Sequence, residues 1–260
     1  MLFDSHAHYN DSKFAGSRDD LLNTLFSKNV GAIVNASVSP EDSRRSLELS
    51  EAYAQVFAAV GIHPSDIDKV GILDTAISEI EALASHRKAV AIGEIGLDYY
   101  WEPFDKDKQK AFFTAQLELA RKLNKPVVIH DRDAHGDTHE ILKKYTDVKA
   151  VLHSFSGSAE WAKELVRDGR YISFSGVVTF KNARKTVEAA KSVPLERILI
   201  ETDAPYLAPT PLRGSINNSG NLIYAANVLA DIKGITADEI IDITFENACR
   251  FFNIDKSTLT

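Results

Sequence analysis

Residues 126–132 read PVVIHDR, an apolar run behind a proline that breaks off at a histidine. Val127, Val128 and Ile129 are β-branched and suit a strand. No polar residue alternates among them, so the strand is expected to be buried on both faces, as in a parallel sheet covered by helices. The same kind of run recurs along the chain: LFDSHAH (2–8), GAIVNASV (31–38), VFAAVGIHP (56–64), AVAIGEIGLD (89–98), AVLHSFSG (150–157), YISFSGVV (171–178) and ILIETDAP (198–205). Amphipathic segments lie between these runs, among them PEDSRRSLELSEAYA (40–54), DKQKAFFTAQLELARKLN (107–124) and SAEWAKELVRDG (158–169). NLIYAANVLADIKG (221–234) and ADEIIDITFENACRFF (237–252) follow the last strand. Eight strands, each followed by a helix, in 260 residues give about 32 residues per unit. That predicts an α/β fold, a single (β/α)8 TIM barrel over residues 1–260. A doubly wound open sheet is the alternative, because strand order is not written in the element count.

The composition narrows the class. With 44% hydrophobic residues the chain can bury a large core. No apolar run reaches the roughly 18 residues of a membrane span, and no basic segment followed by an apolar stretch opens the sequence, so a cytoplasmic setting is expected. Cys249 is the single cysteine, which excludes an intrachain disulfide and a thiolate metal cluster. A net charge of −7 argues against a basic coat for nonspecific nucleic-acid binding. It leaves a metal-dependent nuclease open, since bound ions neutralise phosphate locally.

Ionisable residues gather where the apolar strands stop. His6 and His8 end the first, His63 the third and Glu94 lies in the fourth; His130, His153 and Asp203 follow the fifth, sixth and eighth. In a barrel these ends share one rim. His6 and His8, two apart, face one side of a strand, and alternation puts Asp4 on that side too. Four histidines and two carboxylates suit zinc, manganese or magnesium, and six donors exceed what one open catalytic ion needs. Two ions sharing a carboxylate fit better, with a single site as the weaker alternative. His63 is read as a supporting group or phosphate contact. Arg132 and Arg213 are candidate phosphate contacts, each with a rim ion pair as the plain alternative. Tyr99, Tyr100, Trp101 and Phe155 have stacking on an unpaired base or packing on the rim as their two readings. His86, His135 and His139 need no functional role, and the DAHGDTH segment (133–139) is expected to open a solvent-exposed helix.

LFDSHAHYN, GEIGLDYY, PVVIHDRDA and LERILIETDAPYLAP, with GIHP and HSFSGS between them, together resemble the TatD family of metal-dependent deoxyribonucleases. The resemblance spans about the first 210 residues. It implies that His6, His8, Glu94, His130, His153 and Asp203 hold two divalent ions. Glu94 would bridge them, with His6, His8 and Asp203 on one side and His130 and His153 on the other. It implies 3′→5′ exonuclease action on single-stranded DNA ends, with Asp203 accepting a proton from water. No membrane association is expected from the apolar runs, and no obligate protein partner, since no unusual apolar stripe stands out. Relatives commonly continue past Arg-Gly to Asn-Glu-Pro. Here RGSINNSGNL (213–222) keeps Arg213, Gly214 and Asn217 but lacks Glu-Pro, which places substrate preference in question. The competing reading is a small-molecule amidohydrolase, lactonase or phosphotriesterase on the same metal site.

Overall fold

The computed structural model describes residues 1–259. Eight strands, β1 (Leu2–Ala7), β2 (Val30–Ala36), β3 (Val56–Val60), β4 (Ala89–Asp98), β5 (Val127–Arg132), β6 (Ala150–Leu152), β7 (Tyr171–Phe174) and β8 (Ile198–Ile200), pair in parallel and in chain order. Beyond the ladder, the His8 N–H donates to the Ala204 carbonyl at 2.6 Å and the Asp203 N–H to the His6 carbonyl at 3.0 Å. These bonds bring the last strand back to the first. Sequential order and closure make the sheet a TIM barrel and exclude the doubly wound alternative.

Helices α1 (Arg18–Lys28), α2 (Pro40–Ala52), α3 (Leu73–Ala84), α4 (Lys106–Leu123), α5 (His135–Leu142), α6 (Ala159–Arg167), α7 (Arg184–Ser192), α8 (Leu222–Lys233) and α9 (Ala237–Phe252) follow the strands. Their starts are set by side-chain caps. Ser39 ahead of Pro40, Asp105, Ser158 and Thr236 each accept a backbone N–H of the first turn. α5 is the short helix that the DAHGDTH segment opens, while α8 and α9 both follow β8.

Apolar residues divide by strand parity. Phe3, Val34, Ala59, Ala91, Val128, Val151, Tyr171 and Leu199, one or more from every strand, cluster with Phe245, Phe251 and Phe252 of α9. The edge-to-face contact of Phe3 with Phe245 and the stacking of Phe3 on Phe252, at 5.7 and 6.0 Å, seat α9 against this inward set. The alternate strand residues, such as Ile33, Val60, Ile129, Leu152 and Ile200, join the helices in the larger cluster. β7 and β8 stop earlier than their apolar runs predict. Residues 176–179 form a tight turn against the segment after β8, where a Cβ on Gly176 would lie 2.3 Å from the Leu207 carbonyl. That close approach shapes one wall of the mouth.

Candidate metal centre

Simple alternation aims only part of the site. Val128 and His130, Val151 and His153, and Leu199, Glu201 and Asp203 share parity, so these polar groups continue the inward rows. Counting by twos from Phe3 reaches Ser5 and Ala7, and from Ala91 it reaches Gly93 and Ile95. Neither count lands on His6 or Glu94. The structure turns them inward with an extra residue in each strand. Asp4 and Ala7 pair with Ile33 and Asn35, and Ile92 and Ile95 pair with Val127 and Ile129. Three residues against two make a β-bulge, which re-aims a side chain beside a site. Gly96, at φ 144°, lets β4 press on β5, since a Cβ there would sit 2.0 Å from the His130 carbonyl oxygen.

Because the β1 bulge falls between Asp4 and the histidines, Asp4 does not join them. It is buried, accepting the Thr202 N–H at 2.9 Å and the Ser219 hydroxyl at 2.7 Å. This corrects the expectation from alternation. The same bonds, with Asn217 Nδ2 donating to the Thr202 carbonyl at 2.9 Å, pin the divergent 213–221 loop to the strand ends below the mouth.

The other five candidate ligands gather around Glu94. Its Oε2 lies 3.3 Å from His6 Nε2 and 3.6 Å from His8 Nε2. Asp203 Oδ1 completes that group at 3.3 Å from His8 Nε2 and 3.6 Å from His6 Nε2. The opposite oxygen, Oε1, is 2.8 Å from both His130 Nδ1 and His153 Nε2. His63 Nε2 stands farther off, 3.6 Å from Oε1.

The outward nitrogens fix which atoms carry protons. His8 Nδ1 meets the Ala36 carbonyl at 3.1 Å, His130 Nε2 meets Asp98 Oδ2 at 2.9 Å, and His153 Nδ1 meets Glu201 Oε1 at 3.2 Å. Each partner only accepts, so each of these nitrogens bears the hydrogen. The neutral rings then turn lone pairs toward the lone pairs of Glu94 and Asp203. Acceptors facing acceptors need protons or cations between them. Burial opposes charge on His8, yet the Asp203 and Glu94 carboxylates lift it to about 9. For His153 burial also opposes charge, and Glu94 and Glu201 carry it well above the usual histidine value. Burial would raise Glu94, but His153 and His6 hold it well below the carboxylate range. The donor set fits divalent cations, which replace those protons. Proton release follows as an expected result. At pH 7.5, titrating Mn²⁺ or Zn²⁺ into metal-free protein in buffers of different ionisation enthalpy should show at least about one proton released per chain. Heats independent of the buffer would mean that the histidines do not exchange protons for ions.

His63 differs. Its Nδ1 accepts the Ser65 N–H at 3.1 Å, so its Nε2 carries the hydrogen. Burial, with His130 nearby, pushes it down to about 3 and keeps it neutral. It is placed as a donor aimed at the cluster.

Asp98 and Glu201 were missing from the sequence reading. Both are buried. Asp98 lies on Glu94's face of β4, four residues on, and Glu201 two residues before Asp203. That spacing was their only signal.

Arg132 is exposed at the mouth, 3.8 Å from the Tyr100 ring and 5.4 Å from that of Trp101. Tyr100 and Trp101 are 49% and 60% exposed. Tyr99 instead packs on Phe104 and donates to Asp137, and Phe155 is buried against Trp161. Arg213 sits 3.8 Å from the Phe180 ring, with its guanidinium donating to the Ala208 carbonyl. His135 and His139 are not the solvated pair expected. His135 bonds to Asp131, and both rings pack near Trp161.

A family model described as TatD related DNase matches residues 3–253. The chain belongs to the TatD family. The metal-dependent hydrolase YabD of Bacillus subtilis is 41% identical over 98% of this chain and 100% of its own length. YcfH of Escherichia coli, also a metal-dependent hydrolase, is 37% identical over 100% of this chain and 98% of its own. The crystal structure of the TatD homologue YjjV from Escherichia coli superposes with a TM-score of 0.91 at 30% identity, covering 98% of both chains. This TatD chain is accordingly a metal-dependent hydrolase with a TIM-barrel fold. Among the described residues no helix is long and apolar enough to cross a membrane.

Proposed function

We propose that this TatD protein is a deoxyribonuclease that removes nucleotides from the 3′ ends of single-stranded DNA. In this reading His6, His8 and Asp203 would hold one divalent ion together with Glu94, and His130 and His153 with Glu94 would hold a second. Such ions, when bound, lower the pKa of water and draw charge from phosphoryl oxygens. Asp203, beside the cluster and partly open to solvent, accepts the proton that water gives up. His63 donates its Nε2 hydrogen to a phosphoryl oxygen, and Arg132 holds a phosphate of the strand. Arg213, exposed and with one guanidinium N–H on the Ala208 carbonyl, is the second candidate phosphate contact.

The observation that carries the choice of DNA is the open Tyr100–Trp101–Arg132 stack beside the donor cluster. Exposed rings and a guanidinium suit unpaired bases and their phosphates. The test is a 5′-labelled single strand incubated with metal-stripped protein to which Mg²⁺, Mn²⁺ or Zn²⁺ is restored. A ladder shortening from the 3′ end, absent in His130→Ala, is expected. An intact strand under all three metals would discard the nuclease reading in favour of the small-molecule hydrolase. Trp101→Ala should raise KM for single strands by about fivefold to tenfold, the scale of one lost stacking contact, with kcat little changed. An unchanged KM would remove Trp101 from the substrate path.

A further inference from the structure

Two cavities flank the Glu94 cluster and share His130, His153 and Asp203 in their walls. One, of about 310 Å³, extends past Val38, Asn10, Asp11, Asp42 and Tyr206. The other, of about 400 Å³, runs past Tyr100, Arg132, Ser154, Ser156 and Leu207. A phosphodiester seated at the cluster therefore has one neighbour in each.

The two walls differ in what they have left to offer a ligand. In the first, the donors other than the His63 Nε2–H at the cluster itself are already committed. The Asn10 amide donates to the Asp42 carbonyl, to Asp42 Oδ1 and to Ser46 Oγ at 3.2, 3.3 and 2.6 Å. The Val38 N–H goes to Asp42 Oδ2 at 3.1 Å, and the Tyr206 hydroxyl to Asp11 Oδ2 at 2.5 Å. Away from the donor cluster, that wall keeps the spare lone pairs of two carboxylates, and among the described residues no lysine or arginine lines it, with Lys13 and Arg45 acting on Asp11 and Asp42 from outside it. Lys13 lies over the Tyr206 ring at 4.1 Å and is not among the lining residues. Among the described residues, the Arg132 guanidinium in the second cavity has ring contacts but no hydrogen bond or ion pair, and the exposed Ser156 hydroxyl is likewise unengaged. Asp131 and Asp133 share this wall, but Asp131 is turned onto His135.

Resting on the nuclease reading, we infer that the Asp11–Asp42 cavity receives the terminal nucleoside and selects a free 3′-hydroxyl, while the Arg132 cavity takes the phosphate-bearing remainder of the strand. A hydroxyl donates and matches the spare carboxylate lone pairs. A 3′-phosphate brings only acceptors and negative charge to a wall of the same kind, a juxtaposition that costs binding. Hydrolysis in this orientation breaks the P–O3′ bond of the last linkage. Water supplies OH to phosphorus and a proton to the departing 3′-oxygen. The products are a nucleoside 5′-monophosphate in the acidic cavity and a strand one residue shorter with a new 3′-hydroxyl.

The test pairs binding with turnover on metal-loaded protein. Thymidine 5′-monophosphate should bind at least about tenfold more tightly than thymidine 3′,5′-bisphosphate by calorimetry, although the second phosphate would favour the cationic ions. Oligonucleotides ending in 3′-phosphate should lose their first nucleotide more slowly than 3′-hydroxyl strands by a similar factor. Asp42→Asn and Asp11→Asn, each checked for an unchanged melting temperature, should shrink both gaps. Equal or tighter binding of the bisphosphate, or equal cutting of the two ends, would overturn the inference and leave the nuclease reading standing. A persistent binding gap with no strand cut would support the cavity assignment and sink the nuclease reading.

Discussion

Glu94→Gln should reduce hydrolysis by at least about 10³-fold, the kinetic equivalent of losing some 4 kcal/mol of charge stabilisation. The amide keeps the size of the carboxylate and one acceptor. It presents an NH₂ group to one of the two histidine pairs, whose nitrogens facing Glu94 are lone pairs once His8, His130 and His153 donate outward. One oxygen therefore still fits its side and the other position opposes a cation. On the proposed two-ion reading, metal content by elemental analysis should fall from about two ions per chain toward one, with circular dichroism unchanged. Full turnover with full metal content would show that Glu94 does not link the two donor groups. Loss of fold alone would appear in the circular dichroism spectrum and separate a structural failure from a chemical one.

The barrel and the identity of its rim residues were legible because both rest on local rules. Runs such as PVVI and ILI report two-sided burial, and the polar residues ending them report the mouth. What failed was the extension of alternation through strands that carry bulges. In β1 and β4 an added residue reverses the parity of everything after it, so counting by twos left Asp4 with the histidines and gave no reason for Glu94 to face inward. The two-apart spacing of His6 and His8 still held, since both follow the bulge and keep their relation to one another, and Glu94 was singled out by its place in the fourth apolar run. The supporting carboxylates were hidden for another reason. Asp98 and Glu201 act through partners 32 and 48 residues distant, a relation that only the assembled barrel supplies.

Asp98→Asn should weaken metal binding by about 10–100-fold, the usual effect of losing the carboxylate behind a histidine ligand, and kcat should fall with it at limiting metal. Asp98 sits 2.9 Å from His130 Nε2 and is 3% exposed. It also accepts the Tyr100 N–H at 2.9 Å, so it ties the orientation of the His130 ring to the loop that carries the aromatic rim. With a carboxylate there, Nε2 must hold the hydrogen and Nδ1 is left free toward Glu94. An asparagine can present either its oxygen or its NH₂ to the ring, and the second arrangement moves the hydrogen to Nδ1, where it blocks a cation. The decisive readout is metal affinity measured by competition with a chelator, supported by the ring tautomer from ¹⁵N-histidine NMR of the metal-free protein. Asp98→Glu, which restores the charge on a longer arm, should recover part of the affinity. If Asp98→Asn binds metal as tightly as the parent and its His130 keeps the same tautomer, Asp98 only anchors the Tyr100 loop, and His130 is oriented by Glu94 and its neighbours alone.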